Sequence, residues 1–173
     1  RLWEAIDYDR SIAAPKTNFY ETLPRVLAFN PDGSLLAGGM SNGRIMLWDT
    51  ITCGHLTTLP TGPQDDTATV TQLDFSKDGR HLAACVTAFD STRAHETSST
   101  ITLWDTTTGY EICVLRYANS DSHHRVRYVF NPNGASLAVQ NGNTIDIHDA
   151  VDGHRVSTLA GHSEEVVSMS FHP

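Results

Sequence analysis

At 173 residues, with 39% apolar and 18% charged side chains, the chain is long enough to bury a substantial core and too apolar to be disordered. Acids outnumber bases 20 to 12, giving a net charge of -8, which argues against a general binder of phosphate backbones and favours a basic partner. No apolar run approaches the roughly 20 residues that span a bilayer, and the N-terminus RLWEAIDYDR has no signal-peptide core.

The chain divides into units that repeat. The first, Arg25 to Leu59, reads RVLAFNPDGSLLAGGMSNGRIMLWDTITCGHLTTL. Its first strand ends in an aromatic (LAF), and the turn NPDG follows, with Pro fixing φ and Gly supplying a backbone other residues avoid. The second strand is SLLAGG, and the third, RIMLWD, has the β-branched and aromatic alternation of a half-buried strand. A turn containing Gly54 leads to the fourth strand, HLTTL. The second unit, Thr69 to Leu115, repeats this as LDF, SKDG, HLAACV, TITLWD, a turn with Gly109, and YEICVL, interrupted by the insertion Thr87 to Thr100 (TAFDSTRAHETSST). The third, Arg125 to His162, gives YVF, NPNG, SLAVQ, TIDIHD, a turn with Gly153, and HRVSTL. Phe29, Phe75, Phe130 and Phe171 recur at intervals of 46, 55 and 41 residues. No segment has a helical period, so the reading is all-β. Cys53, Cys85 and Cys113 are odd in number and lack CxxC spacing, which points to a reduced intracellular compartment.

These units resemble the WD-repeat (WD40) family, with WD at Trp48-Asp49 and Trp104-Asp105, HD at His148-Asp149 and GH at Gly161-His162. The resemblance implies a β-propeller of four-stranded antiparallel blades packed face to face. By it, residues 1–173 form one partial propeller: 1–15 end one blade, 25–59, 69–115 and 125–159 are full blades, and 160–173 begin the next. Arg1 to Ala5 looks like a third strand and Glu165 to Pro173 like a first strand. Since a ring takes about four to eight blades, an open arc of a larger, multidomain parent chain is expected, its end faces exposed edges prone to pairing. The chain begins with Arg, not Met, so the natural start is expected to lie outside it. The family's usual hydrogen-bonded set joins a GH His, a second-strand Ser or Thr, a turn Asp and the third-strand Trp. Here Gly38, Ala84 and Val139 fall near the Ser/Thr place and Asn42, Ser98 and Gly142 near the turn Asp, while only His162 sits at the GH position. The blades are therefore expected to rely on apolar interdigitation.

Loop lengths give the site. Turns between first and second strands, and between third and fourth, are short. The long connections, Lys16 to Pro24, Pro60 to Thr69, Arg116 to His124 and the insertion, all emerge at one end of an up-and-down sheet, where a rigid scaffold displays binding residues. The candidate partner-binding residues are Asp65, Asp66, Asp90, Arg93, His95, Glu96, Arg116, Tyr117, Asp121, His123 and His124, a mixture of acids, Arg and aromatics suited to protein contacts.

Chemistry is not indicated. The nine histidines lie on different repeat elements, and His123-His124, being adjacent, point apart, so no metal site is expected. His148 stands where the other units carry Trp and is assigned to packing or a local hydrogen bond. There is no G-x-S-x-G nucleophile elbow and no phosphate-cradling loop. Asp49, Asp105 and Asp149 recur as turn residues, and Cys85 and Cys113 read as small buried hydrophobes. The expectation is a non-enzymatic interaction scaffold or sensor without cofactor or metal. It would bind proteins or peptides, basic ones favoured, away from membranes and nucleic acid, inside the cell and in the cytoplasm, with the nucleus left open. The alternative is a propeller segment of a larger multidomain signalling protein or enzyme whose catalysis lies outside this segment.

Overall fold

A computed structural model of the chain describes residues 23–61, 68–89, 97–119 and 126–172. Among them there is no helix. The strands are β1 (Pro24–Phe29), β2 (Leu35–Met40), β3 (Ile45–Asp49), β4 (His55–Leu59), β5 (Ala68–Phe75), β6 (His81–Phe89), β7 (Thr97–Asp105), β8 (Glu111–Asn119), β9 (Tyr128–Phe130), β10 (Ser136–Asn141), β11 (Thr144–Asp149) and β12 (Arg155–Leu159). They form three sheets, each four consecutive strands in sequence order, antiparallel throughout.

The turns are built by the same side chains in each sheet. After β1, Asn30 Oδ1 accepts from Leu35 N at 2.8 Å and Asp32 Oδ1 from Ser34 N at 2.8 Å, with Gly33 at φ 74°. In the second sheet Ser76 Oγ accepts from His81 N at 2.9 Å and Asp78 Oδ1 from Arg80 N at 3.1 Å. In the third, Asn131 and Asn133 take the same two roles, at 3.1 and 2.9 Å. Between third and fourth strands the repeated Asp caps the turn. Asp49 Oδ1 accepts from Ile51 N and Thr52 N, Asp105 Oδ1 from Thr107 N and Thr108 N, and Asp149 Oδ1 from Val151 N. The turn role expected for these acids is the one they fill. The left-handed residue closing the turn is Gly109 or Gly153 in two sheets, but in the first it is Cys53, at φ 56°, and not Gly54.

Two cores lie between the sheets. One joins Ala37, Ile45 and Leu59 of the first sheet to Val70, Leu73, Leu82, Ala84, Val86 and Trp104 of the second. The other joins Ala83, Cys85, Ile101 and Leu103 of the second to Tyr128, Leu137 and Val139 of the third. Alternation along β6 explains this: even-numbered residues face the first sheet and odd-numbered ones the third. The close approach of the first two sheets requires Gly39, because a Cβ there would collide with Val70 Cγ1 and lie 2.7 Å from Val26 Cγ2. Equivalent positions are covered inside the stack and open at its ends. Leu73 is 4% exposed and Leu27 49%, and Leu59 is 5% exposed and Leu159 54%.

Three expectations change. The insertion and the segment after Leu115 are in large part strand: β6 runs on to Phe89, β7 starts at Thr97 and β8 ends at Asn119, in continuous register (Phe89↔Thr97, Thr97↔Asn119). Their threonines, serines and aromatics suit a pleated surface as well as a loop. Glu165 to His172 forms no ladder. Val166 N donates to Gly142 O at 3.0 Å, but a strand is defined by pairing, and no strand pairs with this segment among the described residues. Apolar packing is also joined by a polar set between the second and third sheets, described below. Residues 1–22 and Pro173, including the third-strand reading of Arg1 to Ala5, lie outside the described residues.

Candidate functional site

In a meander sheet the second-to-third connection and the exit of the fourth strand share one end. Hydrogen bonds knit that end together. Ser41 N donates to Leu23 O at 3.1 Å, Thr69 Oγ1 to Ser41 O at 3.1 Å, and Thr61 Oγ1 to Gly43 O. In the third sheet Asn143 Nδ2 donates to His162 O at 3.1 Å. β6, β7 and β8 are nine residues each, against five or six for β2, β3, β4, β10, β11 and β12, so the middle sheet stands above its neighbours at this end.

Of the candidate residues, Asp65, Asp66, Asp90, Arg93, His95, Glu96, Asp121, His123 and His124 lie outside the described residues. Arg116 and Tyr117 are strand residues of β8 rather than loop residues. Arg116 is exposed. Tyr117 is half-buried and turned inward, its hydroxyl 2.9 Å from His148 Nε2, while His148 Nδ1 lies 3.0 Å from Gly153 O. A carbonyl only accepts, so Nδ1 carries the proton and Nε2 accepts from the phenol. Burial, with the Asp146 carboxylate adding, pushes the Tyr117 pKa well above the usual phenol range and keeps it a donor. His148 thus has the local hydrogen-bonding role its place in the repeat suggested. Beside it Asp146, 2% exposed, accepts from Thr158 Oγ1 at 2.6 Å and Asn141 Nδ2 at 3.0 Å, with Arg155 Nη1 at 3.5 Å. Sequence reading missed this set. Its signal was Asp146 at a position that is Met46 and Thr102 in the other units.

The reverse holds at Trp104. Its indole Nε1 is buried without a partner, which fits Ala84 standing on β6 near the place where the family carries a Ser or Thr, and costs on the order of 1–3 kcal/mol.

A second feature not anticipated is a cleft of about 340 Å³ along the inner strands, lined by Thr71 and Gln72 of β5, Val126 to Val129, Gln140, Ser168 and Met169. Gln72 crosses it, Nε2 donating to Tyr128 O at 2.9 Å and Oε1 accepting from Tyr128 N at 3.3 Å. Gln140 Nε2 donates to Glu165 Oε1 at 2.8 Å and ties the C-terminal segment to β10. Among the described residues no group of three or more His, Cys, Asp or Glu is placed to hold a metal ion, and no helix is long and apolar enough to cross a membrane.

Stacked four-stranded meanders whose inner strands line a common cleft define an open arc of a β-propeller, each sheet one blade. The family model described as WD domain, G-beta repeat matches residues 24–49 and 54–105, so WD40 repeats are present over that stretch. Two solved structures share the fold. The crystal structure of RRP9 WD40 repeats matches with a TM-score of 0.58 and 18% identity, covering 83% of this chain and 40% of that one. The structure of U3-55K matches with a TM-score of 0.57 and 18% identity, covering 83% and 41%. The chain therefore spans about two fifths of the length of these relatives. Among curated protein sequences none matches it. WD-repeat propellers generally serve as platforms for protein interaction and not as catalysts.

Proposed function

We propose that this chain is a scaffold or sensor that holds peptides or protein domains at the end of the blades where the long connections emerge. The observation that carries the reading is the longer middle blade, whose nine-residue β6, β7 and β8 exceed the five- and six-residue strands of the neighbouring sheets. The contact residues are Asp65, Asp66, Asp90, Arg93, His95, Glu96, Arg116, Tyr117, His123 and His124, with the Tyr117 hydroxyl anchored on His148. The surplus of acids, 20 against 12, favours a basic partner segment over nucleic acid. In this reading residues 1–173 are one partial propeller of a larger multidomain protein, working inside the cell in the cytoplasm. Any catalysis by the parent protein lies in another domain.

The test is affinity capture with the tagged chain, compared with a variant in which residues 90–96 are replaced by a two-residue Asn-Gly turn. Captured proteins lost from the variant support the reading. Identical captures move the site away from the insertion, and the absence of any specific capture removes the scaffold role.

A further inference from the structure

The middle blade carries a second feature, on its outer side. β8 is the last strand of its sheet, so one flank pairs with β7 and, among the described residues, no strand pairs with the other. Among the described residues, no backbone hydrogen bond joins β8 to anything outside its sheet. Its nine residues contrast with five each in β4 and β12, the outer strands of the neighbouring blades. Long bare edges invite pairing, and proteins usually blunt them with Pro, Lys or a covering element. The strand EICVLRYAN has neither Pro nor Lys, and its only charges are Glu111 and Arg116. Both are exposed, and among the described residues neither side chain makes a hydrogen bond or ion pair.

The register places these charges. A bulge at Leu103/Trp104 sets Glu111 opposite Trp104, while Arg116 lies opposite Thr100. Thr100 and Trp104 are four apart on an unbroken stretch of β7, so they share a face, and Glu111 and Arg116 share it with them. At roughly 3.3 Å per residue the two charges stand about 13 Å apart along the edge.

We infer that the open edge of β8 is a strand-addition site for an extended partner segment running antiparallel to it, with a carboxylate opposite Arg116 and a cation opposite Glu111. Antiparallel pairing is the commoner and slightly stronger arrangement. It requires the segment's acid to precede its base by four residues. Alternate N–H and C=O groups of β8 supply affinity, and the two charges fix direction and register. The inference rests on the scaffold reading only in taking the ligand to be protein.

The probe is a fluorescein-labelled nonapeptide of valine and threonine with one glutamate four positions ahead of one lysine, titrated against the chain by anisotropy. A second probe exchanges the two charges, and a third has proline at its centre. The first should bind about tenfold more tightly than the second, from two favourable cross-strand pairs replaced by like-charge pairs. The proline probe should not bind, and amide exchange across Ile112 to Tyr117 should slow on adding the first. The double variant E111K/R116E, altered only at exposed positions, should invert the preference between the two charged probes. Equal binding of those probes, or binding without slower exchange in β8, would overturn the inference. So would a dimer in light scattering whose protection maps to β8, since a second copy would then be the occupant. Failure of the probes with the affinity captures intact leaves the scaffold reading standing; bound probes with no captures point the other way.

Discussion

The Gln72 side chain takes the place of a β-strand for Tyr128, meeting both its backbone N–H and its C=O across the gap between the innermost strands of two blades. Asp74 Oδ2 accepts from the same Nε2 at 2.9 Å and holds the amide the right way round. Two neutral hydrogen bonds contribute about 1–2 kcal/mol. Gln72→Ala should therefore lower the unfolding free energy by roughly that amount in urea titration. Gln72→Glu, which keeps one acceptor but sets a carboxylate against the Tyr128 carbonyl, should be no better. A neutral result for both would mean that the clip is not formed in solution.

Cys53 occupies, at φ 56°, the turn position that Gly109 and Gly153 hold in the other blades. A left-handed residue other than Gly carries on the order of 1 kcal/mol of strain, partly offset by the greater freedom of Gly in the unfolded chain. Cys53→Gly should raise the melting temperature by a few degrees at most, and Gly109→Cys should lower it. A drop for Cys53→Gly would give weight to the thiol contact with the Thr50 carbonyl at 3.9 Å.

The turn aspartates predict acid sensitivity. Backbone N–H groups of Thr52 and Thr108, followed by their hydroxyls, hold the Asp49 and Asp105 carboxyls below the usual carboxylate range. A folded-state pKa below the unfolded one contributes stability that is complete above the unfolded value, near 3.9, and is lost as pH falls through the folded value. Denaturation midpoints measured from pH 6 down to pH 2 should therefore fall below about pH 4. The double variant D49N/D105N, starting from lower stability at neutral pH, should show a shallower fall. An unchanged acid slope would assign the loss to other carboxylates.

Thiol reactivity should sort the three cysteines. Cys53 is exposed and Cys85 is buried, and burial pushes the Cys85 pKa up. Cys113 is pushed up to about 11 by burial first, then by Glu111 and Asp152. Only the thiolate attacks iodoacetamide. At pH 8 the native protein should be alkylated at Cys53 alone, and at all three sites once unfolded, as read by mass spectrometry. Modification of Cys113 as fast as Cys53 would contradict this packing.

The strand order and turns were legible because each rests on local chemistry that recurs: Asn30, Ser76 and Asn131 before their glycines, and Asp49, Asp105 and Asp149 after their third strands. What could not be read locally depends on partners distant in the chain. Tyr117 looked like a displayed loop aromatic, yet its ring turns inward because His148, 31 residues on, offers an acceptor. Thr87 and Ser99 fell within an apparent loop, but their hydroxyls meet at 3.2 Å across a ladder that only pairing reveals. Asp146 gave a cue as the odd member of its column, though not the identity of its partners. The open edge of β8 was hidden too, since composition cannot tell a long outer strand from a short one followed by a loop.

Consecutive residues of β6 answer to different neighbours, Ala83 to one adjoining blade and Ala84 to the other, both with no exposure. The middle sheet is thereby a shared wall. A side chain enlarged at Ala84 would press on the first blade alone and at Ala83 on the third alone, so the two junctions can be loosened one at a time by neighbouring substitutions. Neither outer blade has that reach. The same division runs along β7, where Trp104 meets the first blade's core and Ile101 and Leu103 the third's, so these two strands together form the wall that a disturbance between the outer blades would cross.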